Sequence, residues 1–120
     1  MAAGEPIVGG ECQYKQYQGH AEVVSVNPMG RPAGYSSDRY EVKFRFTPDK
    51  KIEEPIAQTE GREFLLLLNQ IYYPGLNFIE KYDINPGKVL DCNLKVIVRG
   101  TCTPVLFDFS FITPEDINEN

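Results

Sequence analysis

With 120 residues, 42% of them hydrophobic and 24% charged, the chain has the size and composition of one globular domain rather than of a disordered polymer. Its longest aliphatic run, Leu65 to Leu68, falls far short of the roughly 20 residues that cross a bilayer as a helix, so no transmembrane segment is expected. The net charge of −5 argues against a globally basic nucleic-acid binder, yet five of the 17 acids (Glu5, Glu11, Glu115, Asp116, Glu119) sit at the two ends, leaving 12 acids against 12 bases over residues 12–112. An anionic ligand would then depend on local clustering of cations.

The start, Met1 to Pro6, has neither a basic nor an apolar stretch and does not read as a signal peptide. An added Met ahead of a mature chain would look the same, so the compartment stays open. Residues 1–14 are expected to form a flexible segment. Residues 17–26 read as a first strand whose alternation slips between Val23 and Val24, the mark of a β-bulge. Residues 27–39, with two Pro, two Gly and two Ser, have loop chemistry. Tyr40 to Phe46 then alternates cleanly, with Tyr40, Val42, Phe44 and Phe46 inward and Glu41, Lys43 and Arg45 outward.

A long polar connection over 47–61 follows, of a length that implies mobility or function. Phe64 to Leu68 is apolar throughout and is assigned as a strand buried on both faces, because Gly61 and Pro74 leave little room for a helix. Pro74 to Tyr82 predicts a short helix with Leu76, Ile79 and Tyr82 on its inner face. Val89 to Arg99 is a strand with Leu90, Cys92, Leu94, Val96 and Val98 inward, and Val105 to Phe111 is a last strand with four apolar residues on one face. Thr113 is placed to cap a terminal turn, within an acidic tail over 113–120.

Three strands, a short helix and two strands give an all-β class. This order resembles the OB-fold, a five-stranded barrel with one short helix between strands 3 and 4, over about residues 15–112. The resemblance is one of pattern, without a diagnostic motif. An SH3-like barrel or an open sandwich would give similar strings. In an OB-like barrel the first and fourth strands pair antiparallel, which would bring Cys12 toward Cys102. A disulfide there would imply an oxidising compartment and an exported protein, whereas free thiols would fit the cytoplasm.

No phosphate loop, nucleophile elbow or zinc-protease motif occurs. His20 stands alone, and Cys12, Cys92 and Cys102 lack the close pairs of structural zinc sites, so neither metal nor cofactor is expected. Cys92 reads as a small core hydrophobe, and Asp108 as a carboxylate facing water. Two functions remain ahead of an enzyme. In the first, the loops 27–39 and 47–61 bind a protein partner. In the second, an oligonucleotide or oligosaccharide lies on the barrel face, as the OB resemblance implies, held by Arg31, Tyr35, Arg39, Lys43 and Arg45. Tyrosine would stack a base or sugar while the cations hold phosphate. Against this, Lys43 and Arg45 alternate with Glu41 as any solvated strand face does.

Overall fold

The computed structural model describes residues 11–118. Its organising element is β1 (Gln13–Gly30), an 18-residue strand that serves two partners. Its first part pairs antiparallel with β4 (Val89–Arg99), from Gln13 opposite Arg99 to Glu22 opposite Val89. Its second part pairs antiparallel with β2 (Arg39–Pro48), from Gly19 opposite Pro48 to Gly30 opposite Arg39. β3 (Phe64–Leu65) adds to β2 and β5 (Val105–Asp108) to β4, giving one curled five-stranded sheet in the order β3-β2-β1-β4-β5. The helix α1 (Leu76–Lys81) lies between β3 and β4, and α2 (Pro114–Asn118) follows β5. The class is all-β.

A strand shared between two halves of a curled sheet has to bend, and the sequence supplies two devices. The register shifts between Val23 and Ser25, where the hydrophobic alternation slips. Gly19, paired on both sides, has no room for a side chain: a Cβ there would collide with the Thr47 carbonyl oxygen and lie 2.7 Å from the Phe46 ring.

Within a largely aliphatic core the aromatic rings cluster. Phe44 meets Phe107 and Phe109 edge-on at 5.1 and 5.3 Å, and Phe64 lies 4.6 Å from Phe107. The Phe64–Phe107 contact bridges the two end strands, β3 and β5, between which no ladder forms among the described residues. The Gln70 side-chain amide, donating to the Phe107 carbonyl at 2.7 Å, covers part of the exposed β5 edge. Cys12 and Cys102 are joined by a disulfide that ties the start of β1 to the β4–β5 turn, with Cα atoms 6.2 Å apart.

Several local expectations change. β1 continues through Pro28 to Gly30, because beyond Val23 its only strand partner among the described residues is β2, so the missing Pro28 N–H is tolerated; the loop over 27–39 shrinks to 31–38. β1 also starts earlier, at Gln13, which takes Tyr14 into the strand, and Tyr17 joins the core. Beyond β3 the chain keeps alternating, with Leu66 and Leu68 buried and Leu65 exposed, so this segment is not buried on both faces. In α1 it is Phe78 that is buried, while Leu76 is exposed. Val98 lies at the register shift between Gln13 and Tyr14, and is exposed instead of inward.

The segment 49–63 is fixed rather than loose. Ile52 and Ala57 are buried, the Thr59 hydroxyl donates to the Phe46 carbonyl, and the Tyr17 hydroxyl donates to Glu54 at 2.6 Å. At the other terminus, Thr113 and Asp116 form a reciprocal cap on α2. The Thr113 N–H donates to the Asp116 carboxylate at 2.8 Å, and the Asp116 N–H to the Thr113 hydroxyl at 3.3 Å. Asp116 also accepts from Lys81 at 2.8 Å and from the Tyr82 hydroxyl at 2.7 Å, which fastens α2 to α1. This carboxylate is buried and is not part of a solvated acidic tail. Burial would raise its pKa, but Lys81, the Thr113 N–H and Tyr82 together hold it down to about 2.

Candidate functional site

Of the five residues proposed from sequence for ligand binding, the structure brings two together. Tyr35 and Arg39 meet at the end of the β1–β2 hairpin, with the Arg39 guanidinium 4.7 Å from the Tyr35 ring centroid. Lys43 and Arg45 lie farther along the outer face of β2. Each already has a carboxylate neighbour: Lys43 faces Glu41 at 3.9 Å, and Arg45 faces Glu63 at 3.1 Å. Arg31 is exposed on the hairpin and makes no ion pair among the described residues. The five do not form one basic surface.

Arg39 is the exception to its own expectation. Placed in a loop by the sequence reading, it is the first residue of β2, only 1% exposed. The cause is a segment that runs along β2 past the end of β3. The Leu66 N–H donates to the Val42 carbonyl, the Tyr40 N–H donates to the Pro74 carbonyl, and Gly75 bridges to Arg39. Between these two attachments the chain makes a tight turn at Leu68 to Tyr72, in which Asn69 and Gln70 both take positive φ, 52° and 67°. For Gln this is a strained conformation. It leaves Ile71 and Tyr72 exposed at the tip and brings the Tyr73 carbonyl to Arg39 Nη1 at 3.4 Å.

The guanidinium thus sits under Tyr35 with one long hydrogen bond. Its Nε is buried with no acceptor, and no described carboxylate pairs with it. Burial lowers its pKa from the usual arginine value, with the Tyr35 hydroxyl acting weakly in the other direction. Arginine nevertheless stays protonated. Arg39 lines two clefts. One, of about 530 Å³, is formed with Ala33, Gly34, Tyr35, Ser36, Ile71, Tyr72 and Ile117. The other, of about 240 Å³, lies against Ser37, Asp38, Tyr40 and Gly75 to Asn77. Tyr35 is anchored in turn by the Tyr73 N–H, which donates to its hydroxyl at 3.1 Å.

The sequence reading proposed Tyr35 and Arg39 and left out Ile71; the Tyr72–Tyr73 pair it places among residues suited to a rim or an interface. The adjacent tyrosines were visible, whereas the turn that carries them to the hairpin was not. Elsewhere, His20 lies exposed between Asp49 at 3.7 Å and Asp91 at 3.6 Å. Cys92 is buried, and burial, reinforced by the charge of Asp108, pushes its thiol up to about 12. Asp108 lies half-exposed, 3.9 Å from Lys95. Among the described residues no group of three or more His, Cys, Asp or Glu side chains is placed to hold a metal ion, and no helix is long and apolar enough to cross a membrane. Comparison with protein-family models, curated proteins and solved structures gave no match.

Proposed function

We propose that the protein is a non-catalytic binding module on an OB-type barrel, and that it docks a polypeptide partner at the end of the sheet formed by the 31–38 hairpin and the 68–72 turn. The observation that carries this reading is the convergence of Tyr35, Arg39, Ile71 and Tyr72 around one cleft of about 530 Å³. Exposed Ile71 and Tyr72 supply the apolar and aromatic anchors that interfaces favour. A strained turn is what presents them.

The OB-type topology is supported by the neighbour order of the strands and by the helix between the third and fourth. An oligonucleotide on the barrel face has less in its favour, because Lys43 and Arg45 each face a glutamate. A non-catalytic role is supported by a buried, protonated free thiol and by a histidine whose close partners are carboxylates, with no nucleophile beside it. The Cys12–Cys102 bond favours an oxidising compartment and hence export.

A photo-cross-linker in place of Tyr72, compared with one in place of Lys50 at the opposite end of β2, tests the docking surface in a native extract. The reading requires a discrete adduct from position 72 that disappears on Ile71→Asp and is missing from position 50. Equal labelling from both positions, or none from 72, refutes it.

A further inference from the structure

We propose that Arg39 is a carboxylate receptor: the group it takes is a planar carboxylate carried beside an apolar side chain or ring. This inference rests on the docking reading above and names the chemistry by which that site holds its ligand.

The argument begins with what surrounds the guanidinium. The residue is only 1% exposed, yet among the described residues no carboxylate pairs with it, and its Nε has no acceptor. A buried cation without a counter-charge is costly to keep, so in a folded protein it calls for a partner. The protein occupies two of the approaches to it. The Tyr35 ring covers a face at 4.7 Å, and the Tyr73 carbonyl takes Nη1 at 3.4 Å. What remains is the Nε–Nη2 edge, in which Nε has no acceptor. Two parallel N–H groups on one edge match the two oxygens of a carboxylate lying in the guanidinium plane.

The walls of the cleft select the class of anion. Apart from Arg39, its lining is aromatic, aliphatic or small: Tyr35, Ile71, Tyr72, Ala33 and Gly34, with Ser36 the one hydroxyl that is not a tyrosine's. A phosphate or sulfate would bring further charged oxygens, and no second cation lines the cleft. A carboxylate spends both oxygens on the free edge, and the group attached to it rests against the exposed Ile71 and Tyr72. Nε is buried, so entry requires a shift of the groups around it, among them the Tyr35 ring, whose hydroxyl is held by the Tyr73 N–H. Its hairpin carries glycines with positive φ at Gly30 and Gly34, where the backbone pivots without a side-chain penalty. A free small acid and the carboxyl terminus of a polypeptide ending in an apolar residue share this chemistry.

The test is titration of the full chain, followed by calorimetry and by the Arg39 Nε–H resonance, with four probes: an acetylated Gly-Gly-Phe tripeptide with a free carboxylate, its carboxamide, phenylacetate and inorganic phosphate. The expected result is saturable binding of the free-acid tripeptide with a shift of the Arg39 Nε–H signal, and about tenfold or more weaker binding of the carboxamide. Phenylacetate binding as tightly as the tripeptide assigns the site to small acids; weaker binding assigns it to a chain terminus. Arg39→Met and Arg39→Lys, the second keeping charge but not the fork, are each expected to weaken binding about tenfold or more. Equal binding of acid and carboxamide, preference for phosphate, unchanged binding by both variants, or no binding of either carboxylate at millimolar concentration overturns the proposal. A position-72 adduct obtained alongside any of these failures would leave the docking reading standing and remove only the carboxylate.

Discussion

Replacing Arg39 by methionine separates a structural arginine from one kept for a ligand. In the folded protein the guanidinium receives a hydrogen bond of 3.4 Å to the Tyr73 carbonyl and a ring contact with Tyr35 at 4.7 Å. A bond that long contributes at most about 1 kcal/mol, and a desolvated cation–π contact about 2 kcal/mol. Against these stands the removal of a charged group from water, still several kcal/mol after relaxation. Methionine fills a similar volume without that penalty, so Arg39→Met is expected to stabilise the fold by about 1 to 2 kcal/mol. For a chain of this length the unfolding entropy is roughly 0.25 kcal/mol per degree, and the midpoint rises by roughly 4 to 8 °C. Differential scanning calorimetry at neutral pH measures it directly. A fall of more than about 4 °C would mean that the protein's own groups satisfy the guanidinium, and would refute the reasoning.

Three further outcomes follow from other parts of the molecule. The Cys12–Cys102 bond closes a separation of 90 residues, and chain-entropy reasoning gives it about 4 to 5 kcal/mol. A Cys12→Ser and Cys102→Ser double variant should lose that stability in urea unfolding with a steeper slope, because the denatured chain without the cross-link is more expanded. Gly19→Ala places a methyl group against the Thr47 carbonyl and the Phe46 ring, and a loss of about 2 to 3 kcal/mol is expected by the same assay. Asp116 titrates near 2 when folded, below its unfolded value of about 3.9. The stability it contributes, about 2 kcal/mol, is fully present above pH 5 and lost as pH falls through 2. Asp116→Asn should flatten that part of a stability-versus-pH curve, and an unchanged acid limb would show that the carboxylate is not held by Lys81.

Alternation made the fold legible wherever one strand face meets water. In β4, Leu90, Cys92, Leu94 and Val96 are buried as their spacing requires, and the slip at Val23 and Val24 falls on a register shift. Local signals failed where burial is set by segments distant in sequence. The polarity of 49–63 suggested a loose loop, yet Ile52, Ala57 and Thr59 are buried, because Tyr17 of β1 and the Phe46 carbonyl of β2 hold the segment against the sheet. Asp116 looked like tail chemistry and became a buried cap, because Lys81 and Tyr82 approach it from another helix. The residues proposed for binding divide the same way. Tyr35 and Arg39 stand out in a loop-rich stretch by residue type, whereas Ile71 and Tyr72 gain meaning only beside them.

What the sequence by itself determined is the class: the period-two pattern, the aromatic content and the turn residues admit a curled β-sheet with one short helix between its third and fourth strands, since side chains alternate along any strand whatever its neighbours are. What only the tertiary structure decided is the state of Arg39. Its charge can be read from one letter, but its burial and its unpaired Nε arise because the turn around Asn69 and Gln70 folds back over β2, and the solvation of a charge is fixed by everything packed around it.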